Sequence, residues 1–205
     1  MKHEKQRCHW CKGDPLYQDY HDREWGVPVK EDRKLFEFLL LETFQAGLSW
    51  ITILRKRSHF REALDHFDYK LIAQYQQDKI DQLMGNPGII RNQGKIQAAV
   101  SNAQAFMKVQ NEFGSFASYI WKFVNNKPIQ NTWIEPQKIP ALTQLSIEVS
   151  KDLKKRGFKY VGPTVVYSHM QATGMINDHI EQCFRHKEIR ELGRNFCLED
   201  DQTWI

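Results

Sequence analysis

Four cysteines in 205 residues are too few for a disulfide-dense secreted scaffold. The opening stretch MKHEKQRCHWCKG is polar and lacks the apolar core of an export leader, so the expected location is the cytoplasm. Long hydrophobic runs are missing as well. The longest, Leu35 to Leu41, is broken by Glu37 and bounded by charges, so nothing approaches the ~20 apolar residues that span a membrane. Charge of one sign is not in large excess. Lysine and arginine total 29 against 25 acidic residues, a net +4 and a pI near 8.8, which permits a polyanionic partner without pointing to one. There is no internal repeat or low-complexity tract, and strict two-residue alternation is scarce, which excludes a fold built on large sheets. The length suits one compact domain, or two small helical lobes sharing an interface.

The sequence is rich in apolar residues at helical spacing. Asp32 is the expected N-cap of a helix through Leu35, Phe36, Phe38, Leu39, Leu40 and Leu41, with Gly47 as its stop. That helix is apolar nearly all round. Ser49, Ser58, Asp68, Asp78 and Ser115 each precede a further apolar-periodic stretch, so a series of short helices is expected. Ile96, Ala99, Val100, Ala103, Phe106 and Met107 form one stripe, and Gly85-Asn86-Pro87-Gly88 is the clearest turn. A loop from 125 to 140 is the expected seam between lobes. A last helix pair, Thr143 to Arg156 and Pro163 to Ala172, is joined by residues 157 to 162. The fold class expected is all-α.

The joint between those two helices ends one with Gly157 and opens the next with Pro163, the arrangement favoured at helix stops and starts. It leaves backbone N–H groups free to meet a phosphate, beside Lys154, Lys155, Arg156 and Lys159. An ordinary tight corner with solvated basic residues fits the same segment. The segment resembles the helix-hairpin-helix of a superfamily of DNA glycosylases, in which a Val-Gly pair, here Val161-Gly162, opens the second helix and grips DNA without reading sequence. The resemblance implies that Gly157, Lys159, Gly162 and Thr164 meet the DNA backbone. Members of that superfamily usually carry a catalytic aspartate two residues before a histidine. Here Asn177 stands at that place, before Asp178-His179. The lyase members also carry lysine where this chain has Thr164, so the departures imply a monofunctional enzyme without a Schiff-base step.

Four more stretches narrow the family: Asp14-Pro15-Leu16-Tyr17; Tyr20-His21-Asp22-Arg23-Glu24-Trp25-Gly26; Leu41-Glu42 with Gln45-Ala46-Gly47-Leu48-Ser49-Trp50; and Gly88-Ile89-Ile90-Arg91 with Gly94-Lys95. Together they are similar to the 3-methyladenine DNA glycosylase I family, from about Cys8 to Cys183. That resemblance implies a helical glycosylase domain over 1–186, a helix-hairpin-helix near 143–174 and a tail of unassigned role over 187–205. It also implies a monomer that acts on double-stranded DNA containing 3-methyladenine, with no membrane partner. Two rival functions are a zinc-stapled binder of damaged DNA without catalysis, and the same fold acting on 3-methylguanine or 7-methylguanine.

A structural zinc joining the chain ends belongs to the same expectation. His179 and Cys183 are four residues apart, which on a helix places both on one face as a metal pair. The family pattern adds Cys8 and His21 to make a closed Cys2His2 site. Cys8-His9-Trp10-Cys11 is itself a C-x-x-C, so Cys11 competes for a ligand position, and Cys197 is a further thiol.

For the substrate, spacing places Glu42 on or beside the apolar stripe of its helix. It then either escapes to water at the helix end or is buried at high cost. By resemblance Glu42 is the base-recognition acid and the catalytic candidate. Tyr20 and Trp50 are expected to stack on a flipped base, and Trp10, Tyr17 and Trp25 to wall the pocket. Gly47-Leu48 is the expected plug for the gap left in the stack. No residue is assigned as general base.

Overall fold

The computed structural model describes residues 5–198, and they are mostly helical. In chain order the helices are α1 (Pro15–Arg23), α2 (Asp32–Gln45), α3 (Trp50–Ala63), α4 (Tyr69–Ile72), α5 (Gln77–Gly85), α6 (Gln93–Phe113), α7 (Phe116–Trp121), α8 (Gln144–Lys155), α9 (Pro163–Ala172) and α10 (Phe184–Arg194). The only strands among the described residues are the two-residue segments β1 (Ile129–Gln130) and β2 (Ile176–Asn177), paired in parallel. No helix among the described residues is long and apolar enough to cross a membrane.

The all-round apolar character of α2 makes it the central helix, because no face of it can be left in water. Every residue from Leu35 to Phe44 is buried. It packs against α3, α6, α7 and α9. Its buried Glu37 is neutralised by Arg57 Nε at 2.8 Å and Arg61 Nη2 at 2.9 Å, so its carboxyl sits below the usual carboxylate range despite its burial. The buried apolar side chains form one cluster that continues from the N-terminal segment to Cys183.

Three helix starts differ from expectation. Asp32 is the first residue of α2, whose N-cap is Glu31. The Asp32 carboxylate instead accepts from the backbone N–H of Phe116 and of Ala117, both at 2.8 Å, satisfying the free donors at the start of α7. Ser58 lies inside α3, and Asp78 is in the first turn of α5 behind Gln76. Ser58 and Asp78 are exposed polar residues that mimic a cap in sequence. Asp68 and Ser115 do cap α4 and α7 through their side chains, and Thr143 closes a reciprocal capping box on α8.

The corner between α8 and α9 follows the expected chemistry. Gly157 takes φ +97°, a left-handed position that favours glycine, and Pro163 is the first residue of α9. The loop from 125 to 140 is tied back by β1. The segment past His186 begins as the remainder of α10, with Ile189 fully buried. Beyond it, the Phe196 ring lies 4.1 Å from Trp121. Residues 199–205 of the assigned tail lie outside the described residues.

Candidate functional site

A cavity of about 280 Å³ opens between the N-terminal segment, the C-terminal end of α2 and the inner face of α9. The residues expected around a flipped base, Trp10, Tyr17, Tyr20, Trp25, Glu42 and Trp50, all line it. The rings form a continuous wall. Trp10 lies 4.8 Å from Tyr17 and 5.0 Å from Trp25, and Tyr20 lies 5.5 Å from Trp50, between ring centroids. Flat rings at these angles leave faces and edges against which another flat, electron-poor ring can pack.

Two polar atoms in this wall have no partner. Glu42 is 3% exposed, and its Oε2 accepts no hydrogen bond. Trp50 Nε1 is likewise buried and donates to nothing. Buried polar groups are nearly always paired, so an orphan acceptor and an orphan donor in one cavity mark where a polar ligand edge fits. Burial alone pushes the Glu42 carboxyl well above its ordinary range, because nothing nearby stabilises the anion. Tyr20 is also pushed up, first by its own burial and then by the Glu42 charge.

A carboxyl whose folded pKa exceeds its unfolded value supports the fold fully below the unfolded pKa, and that support is lost as pH rises toward the folded pKa. Glu42→Gln removes the penalty. The variant is expected to melt several degrees above the parent at pH 8 and close to it at pH 4, as read by thermal denaturation at both pH values. A difference independent of pH contradicts the assignment of an unpaired acid.

The cavity also holds residues that the sequence did not single out: His9, Gln45, Ser168, Gln171, Pro136 and Ile139. Gln45 was accessible to reasoning, since it lies three residues from Glu42 on the same helix face. The others arrive from distant segments and carry no local signal. Gln171 is oriented by Asp178, a carboxylate that is 1% exposed. Asp178 Oδ1 accepts from Asn131 Nδ2 at 2.7 Å and Trp133 Nε1 at 2.6 Å. Its Oδ2 accepts from the Tyr167 hydroxyl at 2.6 Å and Gln171 Nε2 at 2.8 Å. Asn177 is also engaged, donating to Gln130 Oε1 at 2.9 Å and to the His186 carbonyl at 3.1 Å. It is a structural tie between β2, β1 and α10.

Behind the aromatic wall, Cys8, His21, His179 and Cys183 bring their ligand atoms within 4.8 Å of one another, all buried. Cys183 Sγ lies 3.4 Å from His21 Nε2 and 3.5 Å from His179 Nδ1, and Cys8 Sγ lies 3.6 Å from His179 Nδ1. Tetrahedral zinc with Zn–S of about 2.3 Å and Zn–N of about 2.05 Å requires sulfur–nitrogen edges of about 3.6 Å, so the donor set fits that ion. The outer ring nitrogens are also held as metal-bound histidines require. His21 Nδ1 meets Asp22 Oδ1 at 2.7 Å, and His179 Nε2 meets the Trp25 carbonyl at 3.0 Å. Contrary to the helical reading of their spacing, His179 and Cys183 sit in a turn that precedes α10. The turn brings them together as a helical face would. Cys11 stands apart from the group, its thiol donating to the Cys8 carbonyl at 3.1 Å, and Cys197 is exposed.

The residues expected at a nucleic-acid backbone lie on two exposed features. Gly157, Lys159 and Thr164 are exposed at the α8–α9 corner, and a Cβ added at Gly157 or Gly162 would meet nothing within 4 Å. The second is the turn after α2, where Gly47 takes φ +83° and Leu48 is 41% exposed, an unusual position for a leucine beside a cavity.

Comparison with known proteins identifies the family. The family profile for methyladenine glycosylase matches residues 10–186. DNA-3-methyladenine glycosylase 1 of Escherichia coli K12 is 46% identical over 178 residues, spanning 87% of this chain and 95% of that protein. A crystal structure of 3-methyladenine DNA glycosylase I superposes with a TM-score of 0.85 at 50% identity, covering 87% of this chain and 98% of that one. A Staphylococcus aureus structure of the same enzyme, determined for the structural basis of 3-methyladenine recognition, gives a TM-score of 0.85 at 36% identity over 87% of this chain and 95% of its own.

Proposed function

The chain belongs to the methyladenine glycosylase family, and from that premise we propose that it releases 3-methyladenine from alkylated double-stranded DNA by hydrolysis alone, leaving an abasic site. Membership makes it a DNA glycosylase, an enzyme that hydrolyses N-glycosyl bonds. The observation that carries the substrate assignment is the unpartnered Glu42 Oε2 within an aromatic cavity.

Alkylation at N3 places positive charge on the purine. In the cavity that charge faces the Glu42 carboxyl and the ring faces of Tyr20 and Trp50, while Trp10, Tyr17 and Trp25 close the walls. Neutral adenine offers no charge to offset the burial of Glu42, so the site selects by charge as well as shape. The cationic base is already a good leaving group. The enzyme therefore needs to extrude and hold it while water captures the sugar, with no aspartate general base. Asn177, at the place of the superfamily's aspartate, cannot take a proton at neutral pH and is already bonded on both sides of its turn. Thr164 offers no amine for a lyase step.

In this reading Leu48 fills the gap left in the base stack and the α8–α9 corner is a helix-hairpin-helix that grips the backbone. Zinc held by Cys8, His21, His179 and Cys183 would be structural, since four protein ligands leave it no open position for a reactant. Bound there, it would add rigidity where Trp10 and Trp25 of the wall meet the C-terminal segment.

Lys159→Ala is expected to weaken binding to duplexes of any sequence by a similar factor and to reduce the slope of log affinity against log salt by about 1. Affinity for free 3-methyladenine stays unchanged. Binding measured at a series of salt concentrations checks this. The reaction itself is tested by incubating methylated DNA with the protein and separating the released bases by chromatography. 3-Methyladenine is the expected product. Tight binding without any released base favours a damage-binding protein, and 3-methylguanine or 7-methylguanine as the main product favours a different pocket specificity.

A further inference from the structure

Helix α6 contributes no residue to the cavity, yet it holds two buried polar side chains, one bonded to the end of α2 just before the turn with Leu48 and one bonded to the α8–α9 hairpin. Lys95 is 7% exposed, and its ammonium donates to the Phe44 carbonyl at 2.9 Å and the Ala46 carbonyl at 2.6 Å. These are terminal carbonyls of α2, which lack intrahelical donors, and a cation at this end also suits the helix dipole. No carboxylate pairs with Lys95 among the described residues. Asn102 is fully buried. Its Oδ1 accepts from the Lys159 backbone N–H at 2.7 Å, and its Nδ2 donates to the Lys159 carbonyl at 3.1 Å.

Seven residues along a helix is close to two full turns, so Lys95 and Asn102 share one face of α6, about 10 Å apart along its axis. One rigid 21-residue helix thus grips the turn carrying Leu48 at one point and the hairpin carrying Lys159 at another. The Tyr160 hydroxyl is pressed against Gly94, leaving no room for a Cβ there. From the opposite side, Ser150 Oγ donates to the Val161 carbonyl at 2.6 Å. A buried ammonium bonded only to carbonyls is costly compared with an apolar side chain of similar length. What it provides that a methionine cannot is a fixed position for the chain just before Gly47-Leu48.

We propose that Lys95 and Asn102 are positioning residues for base flipping, with α6 as the strut that sets Leu48 and the hairpin in the spacing at which both engage one duplex. This rests on the reading of Leu48 as the plug and of the hairpin as the backbone grip. Neither side chain touches the base, so both act on DNA and not on the pocket. The cost of a misplaced plug falls on the step in which the base is extruded.

The test compares Lys95→Met, Lys95→Arg, Asn102→Ala and Leu48→Ala in the full-length protein, with two readouts. The first is single-turnover release of 3-methyladenine from a duplex, with its DNA dependence. The second is affinity for free 3-methyladenine, which also reports that the pocket has folded. Lys95→Met is expected to slow release at saturating duplex by on the order of tenfold or more, to leave free-base affinity within about twofold, and to be partly rescued by Lys95→Arg. Asn102→Ala is expected to raise the duplex concentration needed for half-maximal release, again without moving free-base affinity. Normal release by Leu48→Ala defeats the plug reading on which the proposal rests. If Leu48→Ala is slow but Lys95→Met and Asn102→Ala behave as the parent, or if these variants lose free-base affinity along with release, the positioning role is overturned.

Discussion

Glu42→Gln is expected to lower 3-methyladenine release from alkylated duplex by on the order of a hundredfold to a thousandfold, with the protein still folded. Removing a single electrostatic contact from a dry site costs this much when the group faces developing or fixed charge. The amide keeps the size of the side chain and one acceptor, but it cannot offset the positive charge of an N3-alkylated purine. The Glu42 carboxyl is buried and unpaired, which favours its neutral form in the empty pocket; a cationic base brought against it stabilises the anion, so the charge forms opposite the ligand. Rate measurements under single-turnover conditions, alongside melting curves, check this. Parent-like release by the variant removes Glu42 from the mechanism.

The second large effect concerns the buried cluster. Cys8→Ala is expected to abolish stoichiometric zinc and to lower the melting temperature by ten degrees or more. Structural zinc sites contribute on the order of 10 kcal/mol, comparable to the whole stability of a domain of ordinary size. Cys11→Ala is expected to keep one zinc per chain and to melt near the parent, because the Cys11 thiol donates to the Cys8 carbonyl and lies outside the ligand group. Metal analysis and calorimetry of the two variants decide between the thiols. Zinc lost from Cys11→Ala and retained by Cys8→Ala reverses the assignment. The consequence reaches the cavity, since the Trp25 ring lies 4.5 Å from His179 and Trp10 lies 5.3 Å from His21. Loss of the metal is therefore expected to loosen the aromatic wall as well as the chain ends.

Much of this architecture was legible in the amino-acid order. The nearly all-round apolar run from Leu35 to Leu41 marked a helix that has to be buried, and Gly157 with Pro163 marked the corner between α8 and α9. The pocket residues Glu42, Tyr17, Tyr20 and Trp50 lay in recognisable motifs. Local caps were less legible. Asp32 carries every feature of an N-cap, yet its carboxylate serves a helix more than eighty residues away, a long-range contact that no window of sequence contains. His179 and Cys183 converge in a turn and not on a helix because Cys183 ends at the N-cap of α10. Spacing alone does not separate these two geometries. Gln171 and Ser168 reach the cavity only because α9 packs against α2, and the anchoring roles of Lys95 and Asn102 depend on contacts 49 to 57 residues apart.

The central claim is that a buried acid without a partner, set among aromatic rings, recognises alkylated adenine through the charge that alkylation brings. Equilibrium titration of the zinc-loaded protein with free 3-methyladenine and with adenine, under identical conditions, tests it most directly. Measurable binding of 3-methyladenine is expected, with adenine weaker by at least about tenfold, 1.4 kcal/mol, and with loss of that preference in Glu42→Gln. Equal binding of the two bases, or a preference that survives removal of the carboxylate, contradicts it.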